Sequence, residues 1–208
     1  MIEGYRPAAP AGWSISRGWL AGSLLVLALL APRPAFSQEP VAWGSGPNFA
    51  TFSIAAVDPA TGESGVAVTT RVPCVGNAVP WVRAGVGAVA TQAFTRVEYG
   101  PELLDLLARG VAPQEALGRT VASDTGAAQR QVGVIAMDGR SAQHTGERAN
   151  AWAGHRAGEN YVTQGNLLVG PGVLEAVGAS FEGSAASGRH LADRLIEALA
   201  AGQATGGD

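Results

Sequence analysis

Charged residues, cysteine and long apolar runs are all scarce in this sequence, and each scarcity argues against a class of protein. Only 15% of the 208 residues are charged, and the 14 Lys and Arg residues form no basic stripe, so nucleic-acid binding has little support. Cys74 is the single cysteine and has no partner for a disulfide within the chain. Because 47% of the residues are hydrophobic, we expect a folded domain whose apolar core supplies its stability.

Familiar catalytic and cofactor motifs are also missing. The sequence contains no GxGxxG, no P-loop, no GxSxG and no HExxH. The three histidines, His144, His155 and His190, match no metal-ligand spacing, so we expect neither a metal nor a cofactor. His155 lies in the segment WAGH before the last long strand and is the most site-like of the three.

The first 37 residues differ in character from the rest of the chain. Arg6 and Arg17 precede an apolar run from Trp19 to Ala31, which is shorter than the ~20 residues that a membrane-spanning helix needs. The small-residue segment Ala35-Phe36-Ser37 follows. This pattern predicts a secretory signal peptide over 1–37 and a secreted or periplasmic mature protein without stable membrane insertion, with a retained anchor as the alternative.

Beyond the signal peptide, we predict a Pro/Gly-punctuated linker over 38–50 and one domain over 51–208. Apolar periodicity predicts four strands, two helices, three strands and two helices. Pro101 and Pro113 are expected to open the first two helices, and Ser187 to cap the fourth, which Gly202 is expected to end. Asp138-Gly139 predicts a hairpin turn, and 147–159 is expected to be irregular. Grouped strands and paired helices indicate an α+β fold rather than a doubly wound sheet.

The segment Thr51 to Arg71 predicts a β-hairpin with its turn at Asp58-Pro59-Ala60-Thr61-Gly62. Strand alternation puts Thr51, Ser53 and Ala55 on one face and apolar side chains on the other. The antiparallel return brings Arg71, at the end of the second strand, close to Thr51 at the start of the first.

A hydroxyl nucleophile that needs no histidine suits this hairpin. A threonine at a chain terminus carries its own base, the α-amino group with a pKa of ~8. Such a site also needs a nearby cation and N–H donors for an oxyanion. Thr51 is the candidate threonine and Arg71 the candidate cation, and the strand around Thr91 and Gln92 is expected to supply the N–H donors. The alternative is an ordinary strand threonine and a solvated arginine.

Several blocks of the sequence carry a family resemblance. TFSIAAVDPATGESGVAVTTR, AVPWVRAGVGAVATQAFT, YGPELLDLLARG, WAGHRAGENYVTQGNLLVGP and AGQATGGD resemble, in this order, the bacterial family called domain of unknown function 1028. That family is similar in fold to the proteasome-like Ntn hydrolases, which implies a four-layer αββα sandwich. The resemblance further implies Thr51 as nucleophile, Arg71 near the site, and Thr91 and Gln92 on a strand that lines it.

The resemblance also implies differences at both ends of the domain. In many relatives the threonine follows the initiating methionine, whereas here Ala50 precedes Thr51, so a second cut is needed to free the amine. Relatives continue past GGD with a basic stretch and a final strand, which would make this chain a fragment that lacks an inner strand. Proteasome-like relatives commonly assemble, so we expect a homo-oligomer.

Three functions remain open at this point. The first is an exported amidohydrolase that cleaves a C–N bond in a small amide or peptide, with Thr51, Arg71, Thr91 and Gln92 at the catalytic site. The second is a non-catalytic module that binds a small ligand through Trp81, Trp152, His155 and Asn166, although the two tryptophans equally suit a core. The third is a self-associating envelope protein.

Overall fold

A computed structural model describes residues 49–208, so the predicted signal peptide and residues 38–48 of the predicted linker lie outside the described part. The domain is a mixed α+β fold. Its strands are β1 (Thr51–Asp58), β2 (Glu63–Thr70), β3 (Pro80–Arg83), β4 (Gly87–Ala93), β5 (Arg130–Ala136), β6 (Ser141–Thr145), β7 (Gly154–Gly158) and β8 (Tyr161–Asn166). Its α-helices are α1 (Tyr99–Ala108), α2 (Pro113–Ala122), α3 (Gly172–Gly183) and α4 (Leu191–Ala204).

The strands form two antiparallel sheets of four strands each. One sheet has the order β2-β1-β8-β7 and the other the order β3-β4-β5-β6. In the first sheet, Thr51 pairs with Thr70 on one side and with Asn166 on the other. In the second sheet, Gln92 pairs with Gln131. The start of β1 is therefore flanked on both sides by polar residues of its own sheet.

Three apolar clusters hold these elements together. Phe52, Ile54 and Ala56 of β1 pack with α3 and α4 on one face of the first sheet. The helices α1 and α2 pack in the same way on the second sheet, over Val132 and Val134. A third cluster lies between the two sheets and is built from smaller side chains, including Ala55, Ala88 and Val162. The strict alternation along β1 thus serves two different clusters, as its sequence pattern predicts.

The predicted α+β class and the two hairpins at 58–62 and 138–139 are confirmed, whereas several boundaries were wrong. The region 147–159, predicted to be irregular, contains the strand β7. The sequence did not predict this strand because its residues, GHRAG, do not alternate between apolar and polar. Helix α1 begins at Tyr99 rather than at Pro101, and α4 begins at Leu191 well after Ser187. Gly202 does not end α4 but lies inside it, where its lack of a Cβ leaves room for the side chain of Phe52. None of the helices within 49–208 combines the length and apolarity that a membrane crossing requires.

Candidate functional site

The layer between the two sheets changes from apolar to polar along the strands. At one end it contains the small apolar side chains of the third cluster. At the other end it contains buried hydroxyl and amide side chains, contributed by β1, β4, β5 and β8: Thr51, Ser53, Gln92, Gln131, Gln164 and Asn166. Buried polar groups are costly unless they are hydrogen-bonded, so such a concentration indicates a functional region.

Thr51 lies at the polar end and is held through both its side chain and its backbone. Its hydroxyl donates to Oγ1 of Thr70 at 3.0 Å. Its carbonyl oxygen accepts a hydrogen bond from Nε2 of Gln92 at 3.2 Å, which crosses from one sheet to the other. The residue is only 8% exposed. The start of β1 is therefore fixed between the two sheets.

Gln131 is the centre of the amide network around Thr51. Its Oε1 accepts from Nε2 of Gln92 at 3.2 Å and from Nδ2 of Asn166 at 3.0 Å. Its own Nε2 donates to the carbonyl oxygen of Gly165 at 2.8 Å and lies 3.1 Å from that of Gly154. Gln131 thereby fixes the orientation of two amides that were predicted as site residues.

A cavity of about 230 Å³ opens beside Thr51. Its polar walls come from Thr51, Gln92, Thr95, Asn150 and Asn166. Its apolar walls come from Phe49, Val72, Val75, Val79, Ala93, Phe94 and Leu167. The cavity therefore brings together three of the residues predicted from the sequence, namely Thr51 and Gln92 with Asn166.

Two residues that line this cavity have left-handed backbone conformations. Ala93, at the end of β4, has φ 67°, and Leu167, just after β8, has φ 58°. Residues other than glycine rarely adopt these angles, which cost ~1–3 kcal/mol and tend to cluster at functional sites. Both turn the chain at the ends of the strands that carry Gln92 and Asn166, so they shape the cavity directly.

The other two predicted catalytic residues do not line the cavity. Arg71 is exposed and follows the last residue of β2, close to Asp208. Burial raises the pKa of the Asp208 side chain, while the charge of Arg71 and the backbone N–H groups of Arg71 and Ala50 oppose that rise. Thr91 points to the opposite face of its sheet, where its hydroxyl donates to the carbonyl oxygen of Arg96 at 3.2 Å.

Three of the predicted ligand-binding residues also lie elsewhere. Trp81 packs on the helices of the second sheet, with its Nε1 donating to the carbonyl oxygen of Ala78 at 3.0 Å. Trp152 packs against the cluster of the first sheet. His155 is exposed on β7, with Nδ1 2.9 Å from Oγ1 of Thr145. Partial burial of its ring, together with nearby His144, lowers the pKa of His155.

Sequence reasoning missed Ser53, Thr70, Gln131 and Gln164 as members of the site. Gln131 and Gln164 are almost fully buried on β5 and β8, and each has one small or apolar neighbour two residues away on the same face, Gly133 and Val162. Glutamine at such a buried strand position is an available signal, because it needs a buried partner. Within 49–208, no group of three or more His, Cys, Asp and Glu side chains is arranged to hold a metal ion.

Replacing Gln131 with leucine is expected to lower the free energy of unfolding by about 2–4 kcal/mol, because the amides of Gln92 and Asn166 lose a buried acceptor. Urea unfolding followed by circular dichroism measures the change. Gln114→Leu is the control, since Gln114 is exposed on α2 and its loss is expected to cost less than about 0.5 kcal/mol. Equal costs for the two variants would contradict the central role of Gln131.

The fold and its polar inter-sheet cavity define the class of the protein: a mixed α+β domain of two antiparallel four-stranded sheets and four helices. The chain belongs to the Family of unknown function (DUF1028), whose model matches residues 51–208, and this confirms the predicted family. The domain is similar to the crystal structure of a protein of the same family from Silicibacter pomeroyi, at 33% identity and a TM-score of 0.71. The match covers 76% of this chain and 69% of that chain. No match was found among the curated proteins.

Proposed function

We propose that this domain is an exported amidohydrolase of the N-terminal nucleophile type, in which Thr51 cleaves a C–N bond of a small amide or peptide. Thr51 carries the proposal, because it is the first residue of β1 and borders the cavity between Thr70 and Asn166. Two face-to-face sheets, each with a helix pair on its other face, support a four-layer sandwich like that of the Ntn hydrolases.

The chemistry requires that the bond between Ala50 and Thr51 is first cut. The free α-amine of Thr51 then takes the hydroxyl proton while Oγ1 bonds to the carbonyl carbon of the amide. The C–N bond breaks, and the leaving nitrogen takes that proton from the ammonium group. In the second half, the amine takes a proton from water, whose oxygen attacks the ester. The acid leaves, and Oγ1 regains the proton.

The contacts around Thr51 support distinct roles for its neighbours. Thr70 orients the nucleophilic hydroxyl through the 3.0 Å hydrogen bond. Gln92 was predicted as an oxyanion donor, but its Nε2 already donates to the Thr51 carbonyl oxygen and to Gln131, so it acts as a positioning residue. Asn166 uses Nδ2 for a hydrogen bond to Gln131 and also lines the cavity, which makes its second N–H the better oxyanion donor.

A second candidate, a binding module for a small ligand, is favoured by one observation. Ala50 precedes Thr51 and is only 2% exposed, packed in the cluster of the first sheet. While that peptide bond is intact, the nitrogen of Thr51 is an amide and cannot act as a base. In an uncut chain the same cavity would bind a ligand without cleaving it.

Acylation of the threonine distinguishes the two candidates. We would prepare the full chain and a chain that begins Met-Thr51, from which the methionine is removed, and treat both with a β-lactone that acylates hydroxyl nucleophiles. We expect the chain that begins at Thr51 to gain one acyl group on that residue, at least about tenfold faster than the full chain. Intact mass and peptide mapping locate the adduct, and circular dichroism verifies the fold. A folded chain with a free Thr51 and no adduct would rule out the hydrolase.

A further inference from the structure

The walls of the cavity beside Thr51 carry no formal charge. Within residues 49–208, its lining contains amide, hydroxyl and apolar side chains but no Asp, Glu, Lys, Arg or His. Arg71 and Asp208 lie near the start of β1, yet neither lines the cavity and each faces the other's charge. In the full chain, a ligand inside would therefore meet no ion-pair partner among the cavity-lining residues of 49–208.

This composition discriminates strongly between neutral and charged ligands. A charged group that leaves water for an uncharged cavity loses its hydration without gaining an opposite charge, which is costly. A neutral amide loses less, because the side chains of Asn150 and Asn166 offer both donors and acceptors. The apolar side chains of Val72, Val79 and Phe94 offer contact to an uncharged hydrocarbon group.

The size of the cavity adds a second restriction. Its volume of about 230 Å³ is below the ~300–1,000 Å³ typical of pockets for drug-sized ligands. The left-handed conformations of Ala93 and Leu167 set its boundary on two sides. Only a small ligand, or one small group of a larger ligand, fits within the volume between these strand ends.

We infer that the ligand of this cavity is a small uncharged amide that carries an apolar substituent, and that the cavity rejects anionic and cationic analogues of the same size. For the cleavage of that ligand the inference rests on the proposed function, but for its binding it does not. Binding is a property of the full chain, in which Thr51 is still linked to Ala50.

The test measures binding to the full chain by calorimetry with three probes that share one backbone: N-acetylleucinamide, N-acetylaspartic acid amide and N-acetyllysinamide. At pH 7 the first is neutral, the second anionic and the third cationic. We expect the neutral probe to bind at least about tenfold more tightly than either charged probe. Similar affinities for all three, or no binding of the neutral probe, would overturn the inference.

A pair of valine variants locates the effect in the cavity. Val72 lines the cavity and is 44% exposed, whereas Val82 lies on β3 outside it and is 46% exposed. Val72→Lys is expected to improve binding of the anionic probe at least about fivefold, and Val82→Lys to leave it unchanged. An equal gain in both variants would contradict binding at this site. Tight binding of the neutral probe without acylation of a free Thr51 would reject the hydrolase and leave this inference standing.

Discussion

Thr51→Ala, in the chain that begins at residue 51, is expected to lower the rate of amide hydrolysis by about 10⁴-fold or more. The variant keeps the α-amine but has no oxygen to form the ester, so the remaining groups provide only residual catalysis. Turnover of a neutral N-acyl amide, followed by release of the amine, measures the change. The variant also loses the hydrogen bond to Thr70, which lowers the free energy of unfolding by only about 1 kcal/mol.

Two control variants separate chemistry from structure. Thr51→Ser keeps the hydroxyl and the amine, so we expect its rate to remain within about tenfold of the original. Thr91→Ala removes a fully buried threonine whose hydroxyl donates to the carbonyl oxygen of Arg96 on the other face of the sheet, and its rate is expected to stay within about twofold. Activity that survives Thr51→Ala would show that another group is the nucleophile.

Arg194→Met is expected to cause the largest loss of stability, about 3–5 kcal/mol. Arg194 lies on α4 with a side chain that is 7% exposed, and its Nε donates to Oγ of Ser184 at 2.9 Å. Its guanidinium pairs with Asp58 at 3.4 Å and lies 4.4 Å from the ring centroid of Phe181. Methionine retains much of the packing but leaves the carboxylate of Asp58, 19% exposed, without its cation.

The matched control for this variant is Arg189→Met. Arg189 pairs with Glu197, but both side chains are about half exposed, so solvent screens the pair and it contributes little to stability. Urea unfolding monitored by circular dichroism compares the two variants directly. Arg194→Lys should fall between them, because lysine keeps the charge but loses the planar fork and its stacking on Phe181. A cost below about 1 kcal/mol for Arg194→Met would mean that the pair is not essential to the fold.

Local sequence patterns predicted the elements that depend on neighbours in the chain. The turn residues of 58–62 and 138–139 gave both hairpins, since Gly62 and Gly139 supply the left-handed angles that those turns need. The strand β7 was missed because its residues, GHRAG, have no apolar alternation and are held by pairing with β8. The start of α1 depends on contacts made by Tyr99, which lies in the cluster over the second sheet.

The candidate site was only partly predictable for the same reason. The sequence predicted Thr51 as a site residue because it starts a strand, where a cut before it would leave a hydroxyl and an amine on one residue. The partnership of Gln92 with Thr51 joins residues 41 positions apart across two sheets, and no local pattern specifies which buried amides meet. Trp81 was predicted as a ligand-binding residue because it is aromatic. In the structure its ring packs against α1 at Gly100, a contact that depends on the fold and not on the local sequence.

The division of the core into three clusters has a consequence for which positions of this domain tolerate substitution. The large side chains that dominate burial, such as Phe52, Phe181 and Leu103, belong to the two clusters under the helix pairs. The inter-sheet layer near Thr51 contains mostly polar and small residues, which contribute less apolar burial. Substitution of a half-exposed cavity residue such as Val72 is therefore expected to cost less free energy of unfolding than truncation of Phe52, Phe181 or Leu103 in the helix-covered clusters.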